Sequence, residues 1–555
     1  MWPEDPGVTT WRGLDLNSLQ VDEAYLNITS NKDEVYLYSI SEDCDRCPFS
    51  LEGVIHHHRV FKVNTKHPSK WRLYSRSDSI ISSNDTRLLE CDVVSSNVGE
   101  FGVYDLIHNS SNCTLVTAVP SVNITYSLTL LLVFLLVLTS IAVIISLRRL
   151  YRNGTDNKQD TTPKRARIRS LDTFRGLTLV LMVFVNDGAG GYWFLEHATW
   201  NGLLMADVLF PWFMWIMGVC IPISVRSQLK RGTPRCTMFL NSLKRGCTLI
   251  LLGLMLNTVG VGPQLSTLRV FGVLQRFGIV YLFVSSLAIF LTHRPSRDTS
   301  HQKPPPHVLS DVLSLSPQWI VVIAILAVHT FLTFFVPLPG CPLGYIDAGG
   351  IQDMGIFSNC TGGISRYIDQ LLVGESHLFQ RSTVSEVYHT APFDPEGFLG
   401  CLTSVVQVML GVQAGSTLLT YSEGRPRVVR WLFWGLLCAL CSWGCISLAH
   451  IPINKNLWSI SYVFVTSSLA FIFFAGCYLL VDHFVFWNGS PFIFPGMNSI
   501  FLYVGHTVCY QMFPWHWWLQ PMNTHFLLMA EALWGTALWV AVTYWLYNKQ
   551  CFITV

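Results

Sequence analysis

Apolar and polar residues alternate along this chain on two different scales. Residues 1–125 are mostly polar, and short runs such as Glu34-Val-Tyr-Leu-Tyr alternate polar with apolar side chains. This period of two predicts short β-strands. From residue 126 onward, long apolar runs alternate with short polar segments, and about twenty apolar residues cover the ~30 Å hydrocarbon core of a bilayer. The pattern therefore predicts a small β-rich domain followed by transmembrane helices.

The long apolar runs predict a polytopic α-helical membrane protein with about eleven transmembrane helices. The expected spans lie near 127–147, 173–191, 205–225, 238–259, 271–292, 318–337, 397–421, 428–450, 458–481, 495–513 and 531–547. We accordingly divide the chain into an N-terminal domain (1–125), a first transmembrane helix (126–148), a basic loop (149–170) and a ten-helix domain (171–555) with a long loop at 338–396.

Composition supports this prediction, and the basic residues orient it. Of 555 residues, 50% are hydrophobic and only 13% are charged, which a soluble globular surface could hardly accommodate. A formal net charge of +2 excludes a strongly basic nucleic-acid binder. Arg148, Arg149 and Arg152 follow the first span, so the positive-inside rule places loop 149–170 and the C-terminus in the cytosol, with the N-terminal domain outside.

Cysteines and glycosylation motifs indicate that the outer side is an oxidising, lumenal compartment. Candidate disulfide cysteines are Cys44, Cys47, Cys91 and Cys113 in the N-terminal domain and Cys341 and Cys360 in the long loop; candidate glycosylated residues are Asn27, Asn84, Asn109, Asn112, Asn123 and Asn359. Cys44-x-x-Cys47 has no second ligand pair at zinc-finger spacing, so we expect no metal. Residues 1–6 contain no apolar run, and we expect the printed chain to begin after a signal peptide.

The stretch 169–202 places polar groups beside an apolar run. Asn186 ends that run, and His197 follows three glycines, which we expect to end the helix and to fold His197 back toward Asn186. A neutral imidazole can remove a proton near neutral pH or carry an acyl group, and an amide can donate to a developing oxyanion. The plainer alternative is an interfacial histidine that is bonded to backbone. Asp207 could orient His197, pair with a cation, or simply begin the next helix.

Further polar groups lie at both ends of the spans. Arg175, Lys244, Arg245 and Arg276 have few acidic partners nearby, which suggests that an anion such as a phosphorylated cofactor supplies the missing charge. Snorkelling to lipid headgroups is the alternative. On the outer side, Asp394, Glu396, Asn456 and Trp458 suit an amino sugar, although helix capping explains much of the same pattern. We interpret Arg269, which precedes the fifth span, and His506 in the tenth as supporting residues.

Taken together, these segments resemble the heparan-α-glucosaminide N-acetyltransferase family of lysosomal membrane enzymes. The resemblance rests on Arg169-Ser-Leu-Asp-Thr-Phe-Arg-Gly, Met182-Val-Phe-Val-Asn186, His197-Ala-Thr-Trp-Asn201-Gly, Gly272-Val-Leu-Gln-Arg276, Gly340-Cys-Pro-Leu-Gly-Tyr, Asn359-Cys-Thr-Gly-Gly, Tyr367-Ile-Asp, Asp394-Pro-Glu-Gly, Asn454-Lys-Asn-Leu-Trp-Ser and Pro495-Gly-Met-Asn-Ser-Ile. These segments cover nearly the whole chain in order.

The resemblance implies a transfer of acetyl from cytosolic acetyl-CoA, as co-substrate, to the terminal non-reducing glucosamine amine of heparan sulfate in the lysosome. It implies that His197 is the active-site histidine and Asn186 its partner, and it adds Asn201 to the acceptor site. It also implies a homodimer in the lysosomal membrane, in contact with its lipids. Asp187 departs from the family pattern, in which we expect an aromatic residue after Asn186.

Two mechanisms and two rival functions remain open on the sequence. His197 either acts as general base during direct transfer, which we favour, or takes the acetyl group and passes it on. A transporter or flippase would also need buried charges and Pro or Gly breaks in its helices. An O-acyltransferase would act on a hydroxyl group of a glycan or lipid instead of an amine.

Overall fold

The computed structural model contains a β-sandwich and a bundle of long helices. It describes residues 10–76, 78, 80–82, 85, 89–94, 98–109, 112–155, 167–292, 309–519 and 522–553. The strands are β1 (Thr10–Trp11), β2 (Leu14–Asp15), β3 (Glu23–Ser30), β4 (Val35–Ser41), β5 (Phe49–Ile55), β6 (His58–Asn64), β7 (Ser69–Tyr74), β8 (Ile80–Ile81), β9 (Leu89–Val94), β10 (Val103–Asn109) and β11 (Asn112–Val119). The β-rich N-terminal domain is thereby confirmed.

Two sheets form the sandwich, one in the order β11-β10-β3-β6 and the other in the order β8-β5-β4-β7-β9. Alternate residues of β3 and β4, such as Leu26 and Leu37, are fully buried between the sheets with Trp71 and Tyr104. This burial follows the period-two pattern of the sequence, because successive side chains of a strand point to opposite faces.

The predicted disulfide cysteines are all paired. Cys91–Cys113 joins β9 of one sheet to β11 of the other, and Cys44–Cys47 closes the loop between β4 and β5. Cys341–Cys360 lies in the long loop. Because Cys44 and Cys47 are bonded to each other, their thiols are not free to bind zinc.

The predicted glycosylation sites differ in their accessibility. Asn109, Asn112, Asn123 and Asn359 are exposed, whereas the amide of Asn27 donates to Asp105 at 2.7 Å. Asn84 lies outside the described residues, as do residues 156–166 of the basic loop and the proline-rich segment 301–306.

The remainder of the described chain is helical. The helices are α1 (Tyr126–Thr155), α2 (Arg169–Asn186), α3 (Leu209–Lys230), α4 (Arg235–Leu256), α5 (Val273–Leu291), α6 (Ser310–Leu313), α7 (Ser316–Phe335), α8 (Ile364–Val373), α9 (Thr383–Tyr388), α10 (Phe398–Thr420), α11 (Gly424–Ser447), α12 (Ile460–Tyr478), α13 (Ile493–Met497), α14 (Ser499–Val508) and α15 (His525–Asn548). In the part of the chain that the structure describes, eight helices are long and apolar enough to cross a membrane. The prediction of a multi-pass membrane protein is confirmed; the count of eleven stays a prediction.

One predicted span is wrong as a single helix. Residues 495–513 form the end of α13 and the whole of α14, with a break at Asn498. This residue leaves the helical conformation (φ −119°, ψ 40°), and its side chain binds the backbone of Cys551 and Ile553. The break follows Pro495 and Gly496, residues that interrupt a helix ladder or add backbone freedom.

Helices α3 and α10 form the centre of the bundle. Gly218 of α3 and Gly411 of α10 lie so close together that a Cβ on either would collide with a backbone carbonyl of the opposite helix. Small residues permit this close approach in a bilayer, where helices pack mainly through van der Waals contact. Helix α10 is buried along almost its whole length, whereas α7 and α11 leave many Leu, Ile and Val side chains exposed, as expected for lipid-facing helices.

The β-sandwich rests on one end of the bundle, which we call the domain face. Buried Cys44 and Cys47 pack with Trp200, Tyr388 and Phe393 from the loops of the helical domain. Helices α3, α5, α10 and α12 all begin near this face, so loops 192–207, 394–397 and 452–459 meet beneath the sandwich. The loops that carry the predicted chemistry are therefore brought together.

Candidate active site

His197 lies in the loop between α2 and α3, and Asp207 holds it in place. The Nδ1 atom of His197 is 2.8 Å from Oδ1 of Asp207, whose side chain is completely buried. The other oxygen, Oδ2, accepts the backbone amides of Ala198 (3.1 Å) and Leu204 (3.0 Å). A carboxylate accepts hydrogen bonds only, so Nδ1 carries the proton and the Nε2 lone pair is free.

The free nitrogen of His197 is accessible. The His197 side chain is 47% exposed, and among the described residues Nε2 has no hydrogen-bond partner. A histidine with Nδ1–H bonded to a carboxylate and Nε2 open has the geometry of a general base or nucleophile. The interpretation of Asp207 as the residue that orients His197 agrees with this contact, and the same carboxylate also caps the turn before α3.

Lys455, which the sequence analysis did not select, completes this group. Its Nζ lies 3.7 Å from Oδ1 of Asp207 and 2.9 Å from Nδ1 of His197. Because Nδ1 carries a proton and an ammonium only donates, Lys455 acts on the imidazole through its charge and pairs with the Asp207 carboxylate. Partial desolvation by the surrounding protein lowers the pKa of His197, and the nearby Lys455 ammonium lowers it further, against the opposing effect of Asp207. The imidazole therefore stays neutral at more acidic pH than a free histidine. A lysine between two asparagines just before a span was the available signal.

Asn186 has a different partner. Helix α2 ends at this residue, as the following glycines predicted, and Gly188 adopts a left-handed conformation (φ 94°) that a glycine tolerates. The Asn186 amide donates to Nε2 of His506 at 2.9 Å, and Nδ1 of His506 donates to the Leu502 carbonyl at 3.2 Å. Among the described residues, Asn186 and His197 share no hydrogen bond. The prediction that they act together stays a prediction.

Asp187, which follows Asn186, faces another histidine. Its Oδ1 lies 3.5 Å from Nε2 of His516, and Nδ1 of His516 lies 2.6 Å from Oε1 of Glu531 in α15. The Asp187 side chain is 2% exposed, so His516 joins two acidic groups next to Asn186.

The loops at the domain face form a mouth around His197. Asp394 and Glu396 both bind the Arg269 guanidinium, at 2.7 Å and 2.6 Å. Burial disfavours the Arg269 charge, but the two carboxylates outweigh it and hold its pKa above the ordinary value. Because Arg269 already binds both carboxylates, neither is a free acidic group in this structure.

The predicted acceptor residues Asn201, Asn456 and Trp458 also lie at this mouth. Asn201 accepts a hydrogen bond from Asn454 at 3.2 Å, and Asn456 donates to the Thr199 carbonyl at 3.0 Å. Trp458 is 1% exposed. These contacts join the loop that carries His197 to the loop that carries Lys455.

The N-terminal domain closes one side of the mouth. Thr199 donates to the carboxylate of Asp43 at 2.8 Å, and the Lys66 ammonium binds both oxygens of Glu196, the residue before His197. Only the tertiary structure reveals these contacts, because more than 120 residues of sequence separate the partners.

A cavity of about 360 Å³ runs through the bundle behind this mouth. It is lined from Phe210 to Gln228 along α3 and from Val273 to Ile289 along α5. At 1.5 Å per residue each of these stretches is about 24–27 Å long, close to the ~30 Å of a bilayer core. Arg175, Ser224, Gln228, Ser242 and Arg245 line it away from the domain face, and Leu179, Met182, Phe213, Ile216 and Phe277 are among its apolar lining.

Two residues at the near end of this transmembrane cavity contact neighbours of the histidine groups, although neither His197 nor Asn186 lines it. Tyr503 lines it and contacts His506, with ring centroids 5.5 Å apart. Phe210 lines it and meets Trp458 at 5.1 Å, in the loop that carries Lys455. A molecule in the cavity would thus extend from two arginines to the residues that contact His506 and Trp458.

The four predicted cofactor-binding cations are not all brought together. Arg175 and Arg245 line the cavity, whereas Lys244 does not. Arg276 faces away, because its guanidinium donates to the carbonyls of Pro395 and Gly397 at 2.8 and 3.2 Å and covers the Trp458 ring at 4.7 Å. Arg276 is 1% exposed and braces the loops of the mouth.

Comparison with known proteins identifies the family to which this chain belongs. The family model described as "Heparan-alpha-glucosaminide N-acetyltransferase, catalytic" matches residues 167–296. The mouse protein named heparan-alpha-glucosaminide N-acetyltransferase is 36% identical, covering 96% of this chain and 89% of its own length. The human protein of the same name is also 36% identical, covering 96% of this chain and 88% of its own. The chain belongs to this family.

Membership confirms the resemblance and the prediction that the chain is an acetyltransferase enzyme. The matched region contains α2, α3, α4 and α5 and thus His197, Asn186, Asp207 and most of the transmembrane cavity. The family model therefore covers the segment of this chain that builds most of the site.

Proposed function

We propose that this enzyme transfers acetyl from acetyl-CoA, bound from the cytosolic side, to the terminal glucosamine amine of heparan sulfate in the lysosomal lumen. The observation that carries the proposal is the transmembrane cavity, which extends from Arg175 and Arg245 to the neighbourhood of His506 and Trp458. Acetyl-CoA is too polar to cross lipid, and heparan sulfate is a polyanion. A cavity that crosses the bundle lets donor and acceptor meet without either crossing the bilayer.

The cavity suits the two parts of coenzyme A. Its phosphates are anions that match the guanidinium groups of Arg175 and Arg245, since arginine forms strong hydrogen bonds with phosphate. Arg245 lies over the Tyr281 ring at 4.7 Å and has no carboxylate partner among the described residues. The apolar lining suits the aliphatic arm, which would direct the thioester toward the domain face.

His197 is proposed to act as the general base for direct transfer. An amine of pKa about 8 is mostly protonated in an acidic lumen, and an ammonium is no nucleophile. Nε2 of His197 removes that proton, and the amine then attacks the acetyl carbonyl. The C–S bond breaks, and the departing CoA thiolate takes the second proton of the amine to give the amide and the free thiol. Asp207 keeps Nδ1 protonated, while the Lys455 ammonium keeps the imidazole neutral. Asn186, positioned by His506, is proposed to donate to the oxygen that becomes negative.

The acetyl-histidine route makes a different prediction. In that route CoA would be released in a burst without acceptor, leaving acetyl on His197. Such a burst, with a trapped acetyl-histidine, would replace direct transfer in this proposal.

The acceptor is proposed to enter between the sandwich and loops 394–397 and 452–459, where Asn201, Asn456, Trp458, Asp394 and Glu396 lie. We further propose eleven spans with the β-sandwich lumenal and the C-terminus cytosolic, glycans on the exposed asparagines, and a homodimer in contact with membrane lipids. The bundle, whose α7 and α11 expose apolar side chains, supports a membrane location.

Acetyl transfer across a vesicle membrane tests the proposal. Purified protein is reconstituted into vesicles that enclose labelled acetyl-CoA, and glucosamine or glucose is added outside. We expect labelled N-acetylglucosamine outside and no acetylated glucose. Acetylated glucose would indicate an O-acyltransferase, and solute flux without acetylated product would indicate a transporter.

The Arg245→Ala variant is expected to raise the KM for acetyl-CoA about tenfold or more, since a hydrogen bond to a charged group is worth about 1.5–3 kcal/mol. The kcat should change little, because this interaction is made equally in the ground and transition states. Lys230→Ala is the matched control, as Lys230 is an exposed cation outside the cavity lining. A KM that Arg245→Ala leaves unchanged would show that the phosphates of CoA do not bind at this end of the cavity.

The Lys455→Gln variant is expected to lose activity selectively at acidic pH. Removing the ammonium takes away one of the influences that lower the pKa of His197, so that pKa rises and the imidazole is protonated at higher pH. The acidic limb of the profile of kcat/KM against pH should therefore shift to higher pH. Lys66→Gln is the control, because Glu196 neutralises that lysine. An acidic limb that stays in place in folded Lys455→Gln would contradict the role of Lys455.

A further inference from the structure

A buried group of two carboxylates and a histidine joins the β-sandwich to the helical domain, on residues that the proposed reaction does not use. Asp22 precedes β3, Glu100 precedes β10, and His525 begins α15. Nε2 of His525 lies 3.3 Å from Oδ1 of Asp22 and 3.3 Å from Oε2 of Glu100. The ligand atoms of all three residues lie within 4.8 Å of one another.

The imidazole of His525 has the orientation of a metal ligand. Its Nδ1 is 2.7 Å from the Gly190 carbonyl and donates its proton there, which leaves the Nε2 lone pair directed at the two carboxylates. Metal-bound histidines usually donate their other ring N–H to a carbonyl or carboxylate in this way. The Tyr192 ring stacks on the imidazole at 4.5 Å and fixes its plane.

The two distances from the His525 nitrogen to the carboxylate oxygens fit zinc. Zinc binds histidine nitrogen and carboxylate oxygen at about 2.0–2.2 Å in a tetrahedron, whose edges are then about 3.3–3.6 Å long. The two separations of 3.3 Å from Nε2 match this edge. They are long for hydrogen bonds from an imidazolium, whose charge-assisted bonds are usually about 2.7–2.9 Å.

Charge and burial indicate that a cation is missing. Glu100 is 4% exposed, and its Oε1 has no hydrogen-bond partner. Within the described residues, no lysine or arginine forms a salt bridge with Asp22 or Glu100. Two carboxylates beside one imidazole therefore carry excess negative charge in a buried place, and leaving such charge uncompensated is costly.

We propose that Asp22, Glu100 and His525 bind a divalent cation, with zinc as the ion that fits best. The sequence led us to expect no metal, and Cys44 and Cys47 are indeed bonded to each other. The three ligands come from positions 22, 100 and 525 and have no sequence spacing that a motif could reveal. Bidentate binding by Glu100 would also engage the unpartnered Oε1.

The site would fasten the sandwich to α15 and to the turn after Asn186, because His525 also holds Gly190. Its role would be to fix the position of the N-terminal domain over the mouth, without contact with substrate.

Metal analysis of the full-length protein tests this inference. Protein in detergent is stripped with a chelator, incubated with zinc, freed of unbound metal and analysed by mass spectrometry. We expect about one zinc per chain in the wild type and none retained in Glu100→Gln or Asp22→Asn. His58→Gln is the control for adventitious binding, since His58 is an exposed histidine of the 56–58 triplet, and it should retain the metal.

A second readout separates a loss of metal binding from a general loss of stability, because each variant is compared with itself with and without zinc. Added zinc should raise the Tm of stripped wild type and His58→Gln but not that of Glu100→Gln, because a ligand stabilises only a state that binds it. Stripped wild type that takes up no zinc, or Glu100→Gln that retains as much as wild type, would overturn the proposal. The group would then be an imidazolium bridge between two carboxylates.

Discussion

The His197→Ala variant is expected to lower kcat for acetyl transfer by about 10²–10⁴-fold, the contribution typical of a general base. Asp207→Asn should cause a loss of similar size, since an amide in place of the carboxylate can donate to Nδ1 and place the proton on Nε2 instead. Both effects follow from one contact, the 2.8 Å bond between Nδ1 of His197 and Oδ1 of Asp207. Initial rates with labelled acetyl-CoA and glucosamine measure them.

Two comparisons make this result specific. His58→Ala, which removes an exposed histidine of β6, should retain wild-type activity. Asn186→Ala should lower kcat by no more than about 10²–10³-fold, or 2.7–4 kcal/mol, which is the usual cost of removing one donor to the oxyanion. Near-normal transfer by folded His197→Ala would place the base elsewhere, and His506, which binds Asn186, would be examined next.

The Gly218→Ala variant is expected to destabilise the protein by about 1–3 kcal/mol, the usual cost of overpacking a rigid contact. A Cβ at this position would collide with the backbone carbonyl of Val408 in α10. Backbone cannot move aside as a flexible side chain can, so α3 and α10 would have to separate. Gly411→Ala should behave in the same way, because its Cβ would meet the Trp215 carbonyl of α3.

Gly444→Ala provides a control that is expected to stabilise the protein instead of destabilising it. Gly444 lies in α11, and nothing lies within 4 Å of where its Cβ would be. Replacing a helix glycine by alanine in open space is stabilising by roughly 0.5–1 kcal/mol. Thermal unfolding in detergent, followed by the fraction of monodisperse protein, compares the variants. Equal Tm values for Gly218→Ala and Gly444→Ala would show that α3 and α10 are not in backbone contact.

The site combines two histidines, each with its own partner. His197 is bound to Asp207 near Lys455, while His506 is bound to Asn186 at the end of α2. Two residues that line the transmembrane cavity lie close to these groups, since Tyr503 contacts His506 and Phe210 contacts Trp458 in the loop of Lys455. Proton removal and stabilisation of negative charge can therefore be assigned to different groups, which need not touch before substrate binds.

The sequence by itself determined the broad architecture, a β-rich domain followed by membrane helices, and it predicted His197 as the central group. A period of two predicted strands, and runs long enough to cross a bilayer predicted the helices, because burial on one side of a sheet or in lipid imposes those patterns directly. The predicted cysteines are paired, and α2 ends where the glycines indicated. His197 was selected because a polar group next to an apolar run is costly unless it has a role.

Only the tertiary structure decided which groups meet. Lys455 approaches His197 from 258 positions away, and His506 approaches Asn186 from 320. Arg276 braces the mouth instead of lining the cavity with Arg175, because a side chain's direction depends on which helices pack around it. Asp22, Glu100 and His525 likewise become one group only where the sandwich rests on α15. Periodicity reports how each segment is buried, whereas long-range contacts depend on how the segments pack together.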